Sequence, residues 1–126
     1  MRIGPVLVVF VSLAIVSGCS SGKKAYERGD YYGAVSRAVN RLRQNPDHGK
    51  SMDILRDAYP LAVEYFETQA KNEIASNSTF KWKNAIQSYT QLNQLYEQIR
   101  QCPGCLKVVP NPKNYYAEIG DRKSVV

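Results

Sequence analysis

The first eighteen residues limit which part of this chain can fold, because they have the pattern of a segment that is removed. Arg2 supplies one positive charge, and an almost unbroken apolar run follows over residues 3–16. A basic start before a short apolar run is typical of a secretory signal peptide. A permanent membrane helix needs about 20 apolar residues, so this run is too short to span a bilayer. The sequence therefore predicts an exported protein whose fold is built from the later residues.

The apolar run ends at Val16-Ser17-Gly18-Cys19. These four residues resemble the lipobox of bacterial lipoproteins, in which an aliphatic residue and two small residues precede a cysteine. The resemblance implies removal of residues 1–18, a diacylglycerol on the Cys19 thiol, and acylation of the new amine, for example by palmitate. Several acyl chains hold a protein firmly on its membrane. Because no aspartate follows Cys19, the same resemblance favours the outer membrane, with residues 19–24 as a polar tether. An ordinary signal peptide with a nearby cysteine is the alternative.

Removal of the signal peptide leaves 108 residues with a formal charge of +5, enough for one small domain. Acidic residues are scattered among the basic ones, and the densest basic cluster is Arg37, Arg41 and Arg43. We interpret this cluster as a solvated helix face, with a phosphate-binding patch as the alternative. The composition does not predict nucleic-acid binding, which requires a basic face with groove-reading or aromatic partners.

After the tether, apolar residues recur at the 3.6-residue spacing of amphipathic helices. The pattern predicts a short helix ending near Arg28, a second from Tyr31 to Leu42 capped by Asp30, and further helices over residues 46–77 and 82–101. Asn-Pro pairs at residues 45–46 and 111–112 are predicted helix starts, since Asn is a good N-cap and Pro suits the first helical position. Pro60 is expected to kink or split the long helix. The sequence thus predicts an all-α fold of about four main helices, and only residues 106–109 resemble a strand.

Two segments of the chain match each other at an offset of 51 residues, over residues 29–38 and 80–89. Each places an aromatic residue, Tyr31 or Trp82, three positions before an alanine, Ala34 or Ala85. This spacing resembles the second helix of a tetratricopeptide repeat, and Pro46 follows Ala34 by twelve residues as that family's closing proline does. The resemblance implies antiparallel helical hairpins over residues 25–110. The spacing departs from that family's 34-residue period, and two coincidentally similar amphipathic helices are the alternative.

Catalytic and metal-binding patterns are sparse. The lone histidine, His48, is interpreted as a solvated turn residue, and no metal site or cofactor is predicted. Cys102 and Cys105 have the spacing of a redox pair, which needs to stand at the start of a helix for the helix dipole to lower the thiol pKa. We expect Cys102 to follow a helix instead, and the dipole at that end does not lower its thiol pKa. In an oxidising envelope the two cysteines are predicted to form a local disulfide or to stay as thiols. The sequence therefore does not predict an enzyme.

The last six residues, 121–126, differ in character from those before them. The string GATCGGAAGAGCGTCGTG would encode them, and it resembles a sequencing-library adapter. We therefore expect residues 111–126 to be the start of a further helix in a truncated chain.

The pattern as a whole predicts a membrane-anchored helical scaffold that binds a protein partner in the bacterial envelope through the groove of its hairpins. The contact candidates are tyrosines and the tryptophan, although most aromatic residues at helical spacing belong to a core. They are Tyr31, Tyr32, Tyr59, Tyr65, Trp82, Tyr89 and Tyr96. The alternatives are the first part of a ligand- or glycan-capture lipoprotein, an enzyme whose catalytic domain lies beyond Gly120, and a structural lipoprotein without a specific ligand.

Overall fold

The computed structural model describes residues 21–125, with side-chain detail over residues 21–120. Over this range it contains six α-helices and no strand, so the predicted all-α class is confirmed. The helices are α1 (Lys23–Glu27), α2 (Tyr31–Gln44), α3 (Gly49–Ala75), α4 (Lys81–Arg100), α5 (Pro103–Leu106) and α6 (Tyr116–Val125). None of these helices is long and apolar enough to cross a membrane. The signal peptide, residues 1–18, and Cys19 lie outside the described residues.

Helix α2 forms where the sequence predicts it, for local reasons. The Asp30 carboxylate accepts the backbone N–H of Gly33 at 2.9 Å and so caps the first turn. The apolar residues on one face of the helix are all completely buried: Ala34, Val35, Ala38, Val39 and Leu42. Capping and periodicity therefore agree with the tertiary packing along this helix.

The start of α3 differs from the prediction. Asn45 is not its N-cap, because the Asn45 side chain accepts the N–H of Asp47 at 3.3 Å within the turn. The helix begins three residues after Pro46, at Gly49, and His48 is its N-cap. His48 Nδ1 accepts the backbone N–H of Ser51 at 3.3 Å and lies 2.7 Å from the Ser51 hydroxyl. His48 therefore has a structural role beyond that of a solvated turn residue.

Pro60 does not split α3, which is continuous from Gly49 to Ala75. Its ring removes one hydrogen bond to the Arg56 carbonyl, but Pro60 is exposed and solvent can replace the missing donor. Buried residues on both sides of Pro60, including Leu55 and Ala62, pack both halves of the helix into one core. Tertiary packing thus holds together a helix that local sequence rules would divide.

Helix α3 packs against both α2 and α4, and short connections link these three helices. One core cluster joins α1, α2, the first half of α3 and the end of α4 with α5. A second lies between the other half of α3, the first half of α4 and the C-terminal segment, and consists of Ala70, Ala85, Tyr89, Leu92 and Tyr115.

The segment after α4 departs most from the prediction. Cys102 follows α4, as expected, but it is also the N-cap of a one-turn helix, α5, which was not predicted. The Sγ atoms of Cys102 and Cys105 are joined in a disulfide, with both residues fully buried. The predicted helix start at residues 111–112 is wrong, because α6 begins at Tyr116. The backbone N–H of Tyr115 instead donates to the Asn93 side chain at 2.9 Å, which fastens the extended segment to α4.

The predicted tether is partly helical, since α1 begins at Lys23. Gly22 precedes it in the left-handed region, with φ of 95°. A Cβ at this position would lie 2.6 Å from the Ala34 carbonyl oxygen, so only glycine fits this close approach to α2. The chain is therefore held against α2 from Gly22 onward.

Candidate functional site

Two open grooves meet at Phe66, in the middle of α3. The first, which we call the aromatic groove, has a volume of about 340 Å³. It is lined by Gly29, Asp30, Tyr31, Tyr32, Tyr65, Phe66 and Gln69. The second, the amide groove, has a volume of about 250 Å³ and lies between α3 and α4. It is lined by Phe66, Gln69, Glu73, Asn84, Gln87, Ser88 and Gln91. Because Phe66 and Gln69 line both grooves, the two form one continuous surface.

Edge-to-face aromatic contacts build the aromatic groove. The Phe66 ring meets the ring of Tyr32 at 6.2 Å between centroids and that of Tyr65 at 5.0 Å, both nearly perpendicular. Tyr32 is fixed further by its hydroxyl, which donates to the Gln94 side chain at 2.9 Å. Tyr65 remains 52% exposed, so its ring is available to a ligand. These contacts orient the aromatic side chains before any ligand arrives.

Polar side chains at helical spacing line the amide groove. Residues 84, 87, 88 and 91 are three and four positions apart, which places them along one side of α4. The Asn84 amide donates to Glu73 at 3.1 Å, and the Ser88 hydroxyl lies 3.5 Å from the Gln69 side-chain oxygen. Uncharged amides offer both donors and acceptors, so this surface suits a ligand that has both.

A third depression of about 500 Å³ lies on the other side of Tyr32 and is lined by Tyr32, Thr90, Asn93, Gln94, Glu97, Gln98 and Ile119. The Tyr116 hydroxyl donates to the Glu97 carboxylate, and this hydrogen bond is the main reason that the pKa of Glu97 lies below its ordinary value. The Tyr116 ring also meets Tyr96 edge to face. The C-terminal segment therefore forms one wall of this depression.

The strongest electrostatic coupling lies away from the grooves, around Glu67. Its carboxylate accepts the Tyr115 hydroxyl at 2.7 Å and the Lys113 ammonium at 3.1 Å. Burial raises the pKa of Glu67, but these two hydrogen bonds, together with the positive charges of Lys113 and Lys71, outweigh it and leave the pKa below its ordinary value. Burial and the same carboxylate raise the pKa of Tyr115 far above that of a free tyrosine. The Tyr59 hydroxyl, whose pKa is also raised by burial, accepts the Lys113 backbone N–H at 3.3 Å.

We interpret this Glu67 network as a structural clasp. Each polar group in it is paired with another, and none of its members lines the three grooves described above. Structural ion-pair networks perturb pKa values as active sites do, so the shifts alone do not indicate catalysis. Its effect is to fix the segment around Tyr115 against α3.

The predicted contact residues fall in different places. Tyr31 lines the aromatic groove. Trp82 is half-buried at the start of α4, with the Lys81 ammonium 5.4 Å from its ring centroid. Tyr89 is buried and stacks on Tyr115 at 5.7 Å, so it belongs to the core rather than to a free surface. Sequence reasoning overlooked the amide groove, although the regular polar spacing along α4 was a visible signal.

No group of three or more His, Cys, Asp and Glu side chains within residues 21–120 is arranged to hold a metal ion. Comparisons of the chain with protein-family models, curated proteins and solved structures found no match.

Proposed function

We propose that this chain is a lipid-anchored helical scaffold that binds an extended segment of a partner protein in the bacterial envelope. The observation that carries the proposal is the continuous surface formed by the aromatic and amide grooves at Phe66 and Gln69. The anchor is the Cys19 lipidation that the lipobox resemblance implies, and the outer membrane is its favoured location.

The lining of the two grooves suits a polypeptide. An extended peptide exposes N–H and C=O groups that need partners, and side-chain amides supply both complements. Within the described part of the chain, the Gln87 and Gln91 side chains have no hydrogen-bond partner, so they are available to such a backbone. The exposed Tyr65 ring adds apolar contact area at one end, as aromatic anchors do in protein interfaces.

The repeat-like pattern supports the scaffold proposal. Ala34 and Ala85, the equivalent alanines of the two matching segments, are both completely buried, and both segments begin a helix. Small residues at these positions allow the neighbouring helix to approach closely. Burial of the two alanines is therefore in keeping with a tetratricopeptide-like hairpin array.

Site-specific photo-cross-linking in membranes tests the proposal. A photo-reactive amino acid replaces Tyr65 in the aromatic groove, and a matched chain carries it at Phe80, which is 63% exposed but lines neither groove. We expect the photo-reactive residue to form discrete protein adducts at position 65 and none at position 80. The double substitution Gln87→Ala with Gln91→Ala should reduce the yield of the adducts at position 65. No adduct at position 65, or the same adducts at both positions, would refute partner binding through the grooves. Intact-mass analysis of the mature protein and of Cys19→Ser tests the anchor separately.

Glycan capture is the second candidate function. The Tyr65 ring is exposed beside the Gln69 amide, which donates to the Tyr65 hydroxyl at 3.1 Å, and an aromatic face next to amides also suits a sugar. Soluble oligosaccharides from the envelope, added to the cross-linking reaction, distinguish the two candidates. Loss of the protein adduct together with saturable oligosaccharide binding would favour glycan capture.

A further inference from the structure

Helix α2 is basic and contains no acidic residue. Its three arginines do not all point the same way, because Arg43 donates to the Gln98 carbonyl oxygen at 3.3 Å and so lies toward the end of α4. Arg37 is exposed and Arg41 is partly exposed. Within residues 21–120, neither forms an ion pair with a carboxylate. These two guanidinium groups therefore carry uncompensated charge.

The acidic side chains at the start of the domain are already paired. Glu27 lies 3.8 Å from the Lys23 ammonium, and Asp30 lies 3.6 Å from the Arg28 guanidinium. Lys24, in the same short helix, is exposed and has no such partner among the described residues. The region formed by α1 and α2 thus has a net positive charge.

The first described residues of the chain lie beside this positive region. Gly22 packs against the Ala34 carbonyl of α2, so closely that a side chain at this position would not fit. Arg37 and Arg41 follow Ala34 by three and seven residues, so they lie at the border of the buried face that contains Ala34, on the side of α2 that Gly22 contacts. Cys19 precedes Gly22 by three residues in the sequence, and three residues span at most about 11 Å. A lipid on Cys19 would keep this side of α2 close to the bilayer.

We propose that the basic face formed by Arg37 and Arg41 of α2 binds anionic phospholipid headgroups of the membrane in which the chain is anchored. Guanidinium groups pair well with phosphate oxygens, and a membrane surface supplies many phosphates at the height of a short tether. Neither arginine lines the grooves at Phe66, so headgroup contacts and groove contacts would use different side chains. That this face lies close to the bilayer follows only if Cys19 is lipidated as proposed, whereas its positive charge is independent of the anchor.

Vesicle binding tests the inference without the anchor. The chain from residue 20 onward contains all six helices and both core clusters, and circular dichroism checks that each variant keeps its helices. Its partitioning is measured on phosphatidylcholine vesicles with and without phosphatidylglycerol. The variants are Arg37→Gln with Arg41→Gln and a charge-matched control, Lys71→Gln with Lys83→Gln, at exposed sites on α3 and α4.

Each basic residue near an anionic surface contributes about a fivefold gain in partitioning, so loss of both arginines should weaken binding about 25-fold. On vesicles with phosphatidylglycerol, we expect the lysine control to bind nearly as well as the unmodified chain. On neutral vesicles, we expect neither of these two proteins to bind. Equal losses in the two double variants, or no loss in the arginine variant, would overturn the proposal. Inorganic phosphate that abolishes binding at matched ionic strength would also overturn it, because the site would then hold free phosphate. A Cys19 without lipid would contradict the anchor while leaving these vesicle results to stand.

Discussion

Replacement of Tyr115 by phenylalanine isolates the hydrogen bond that fastens the C-terminal segment to α3. Tyr115 is 1% exposed, and its hydroxyl donates to the Glu67 carboxylate at 2.7 Å. The substitution keeps the ring and its stacking on Tyr89, so only the hydrogen bond is removed. A hydrogen bond to a charged group contributes about 1.5–3 kcal/mol. Glu67 keeps its bond to Lys113 and its side chain is 25% exposed, so we expect the lower value, about 1.5 kcal/mol.

The pH dependence of this loss gives a second criterion. The folded-state pKa of Glu67 lies below its ordinary value of 4.5, so its contribution to stability is present above that pH and is lost as the pH falls through the folded-state pKa. Because Tyr115→Phe removes one of the bonds that lower this pKa, the difference in unfolding free energy between the variant and the unmodified chain should shrink in acid. When Glu67 is protonated, Tyr115→Phe removes only a neutral hydrogen bond, which contributes less to stability than a hydrogen bond to a carboxylate.

Urea unfolding followed by circular dichroism, at neutral pH and in acid, measures both quantities. Tyr116→Phe is the matched control, since its hydroxyl also donates to a glutamate, Glu97, but the residue is 54% exposed. We expect this control to leave the unfolding midpoint unchanged, because solvent replaces an exposed partner. A Tyr115→Phe variant as stable as the unmodified chain at neutral pH, or a difference in unfolding free energy that grows in acid, would contradict the stabilising role of this hydrogen bond.

Two further predictions concern the connection between α2 and α3. His48→Ala should lower the unfolding free energy by about 1 kcal/mol, because it leaves the backbone N–H of Ser51 without its cap, and His48→Asp should restore most of that loss in thermal unfolding. Equal melting temperatures for the unmodified chain and His48→Ala would contradict the capping role. Gly104→Ala should cost about 1 kcal/mol, since its Cβ would lie 3.1 Å from the Pro46 Cα, whereas Gly49→Ala meets no atom within 4 Å. Urea titration of the two alanine variants compares them, and a larger loss for Gly49→Ala would contradict this packing argument.

Part of the candidate site was predictable from the sequence. Tyr31, Tyr32 and Tyr65 were predicted contacts, and they line the aromatic groove. The amide groove was not predicted, because it depends on which side of α4 faces α3. Tyr89 lies on the predicted apolar face of α4, and it is buried there in one cluster with Ala85 and Leu92, stacked on Tyr115.

Local sequence patterns are sufficient to predict the all-α class, the cap and buried face of α2, and the approximate extent of α4, because capping and periodicity act between residues a few positions apart. The remaining features depend on contacts between residues far apart in the chain. Pro60 lies within a continuous helix because both halves of α3 are packed in the core. Tyr115 is held in its buried position by hydrogen bonds to Glu67 and Asn93, which lie 48 and 22 residues away in the sequence. A local sequence pattern cannot predict such distant pairs. Helix α6 begins at Tyr116 and not at the Asn-Pro pair of residues 111–112. The backbone N–H groups of Lys113 and Tyr115 donate to distant side chains instead, and these hydrogen bonds outweigh the local preference of Asn-Pro to begin a helix.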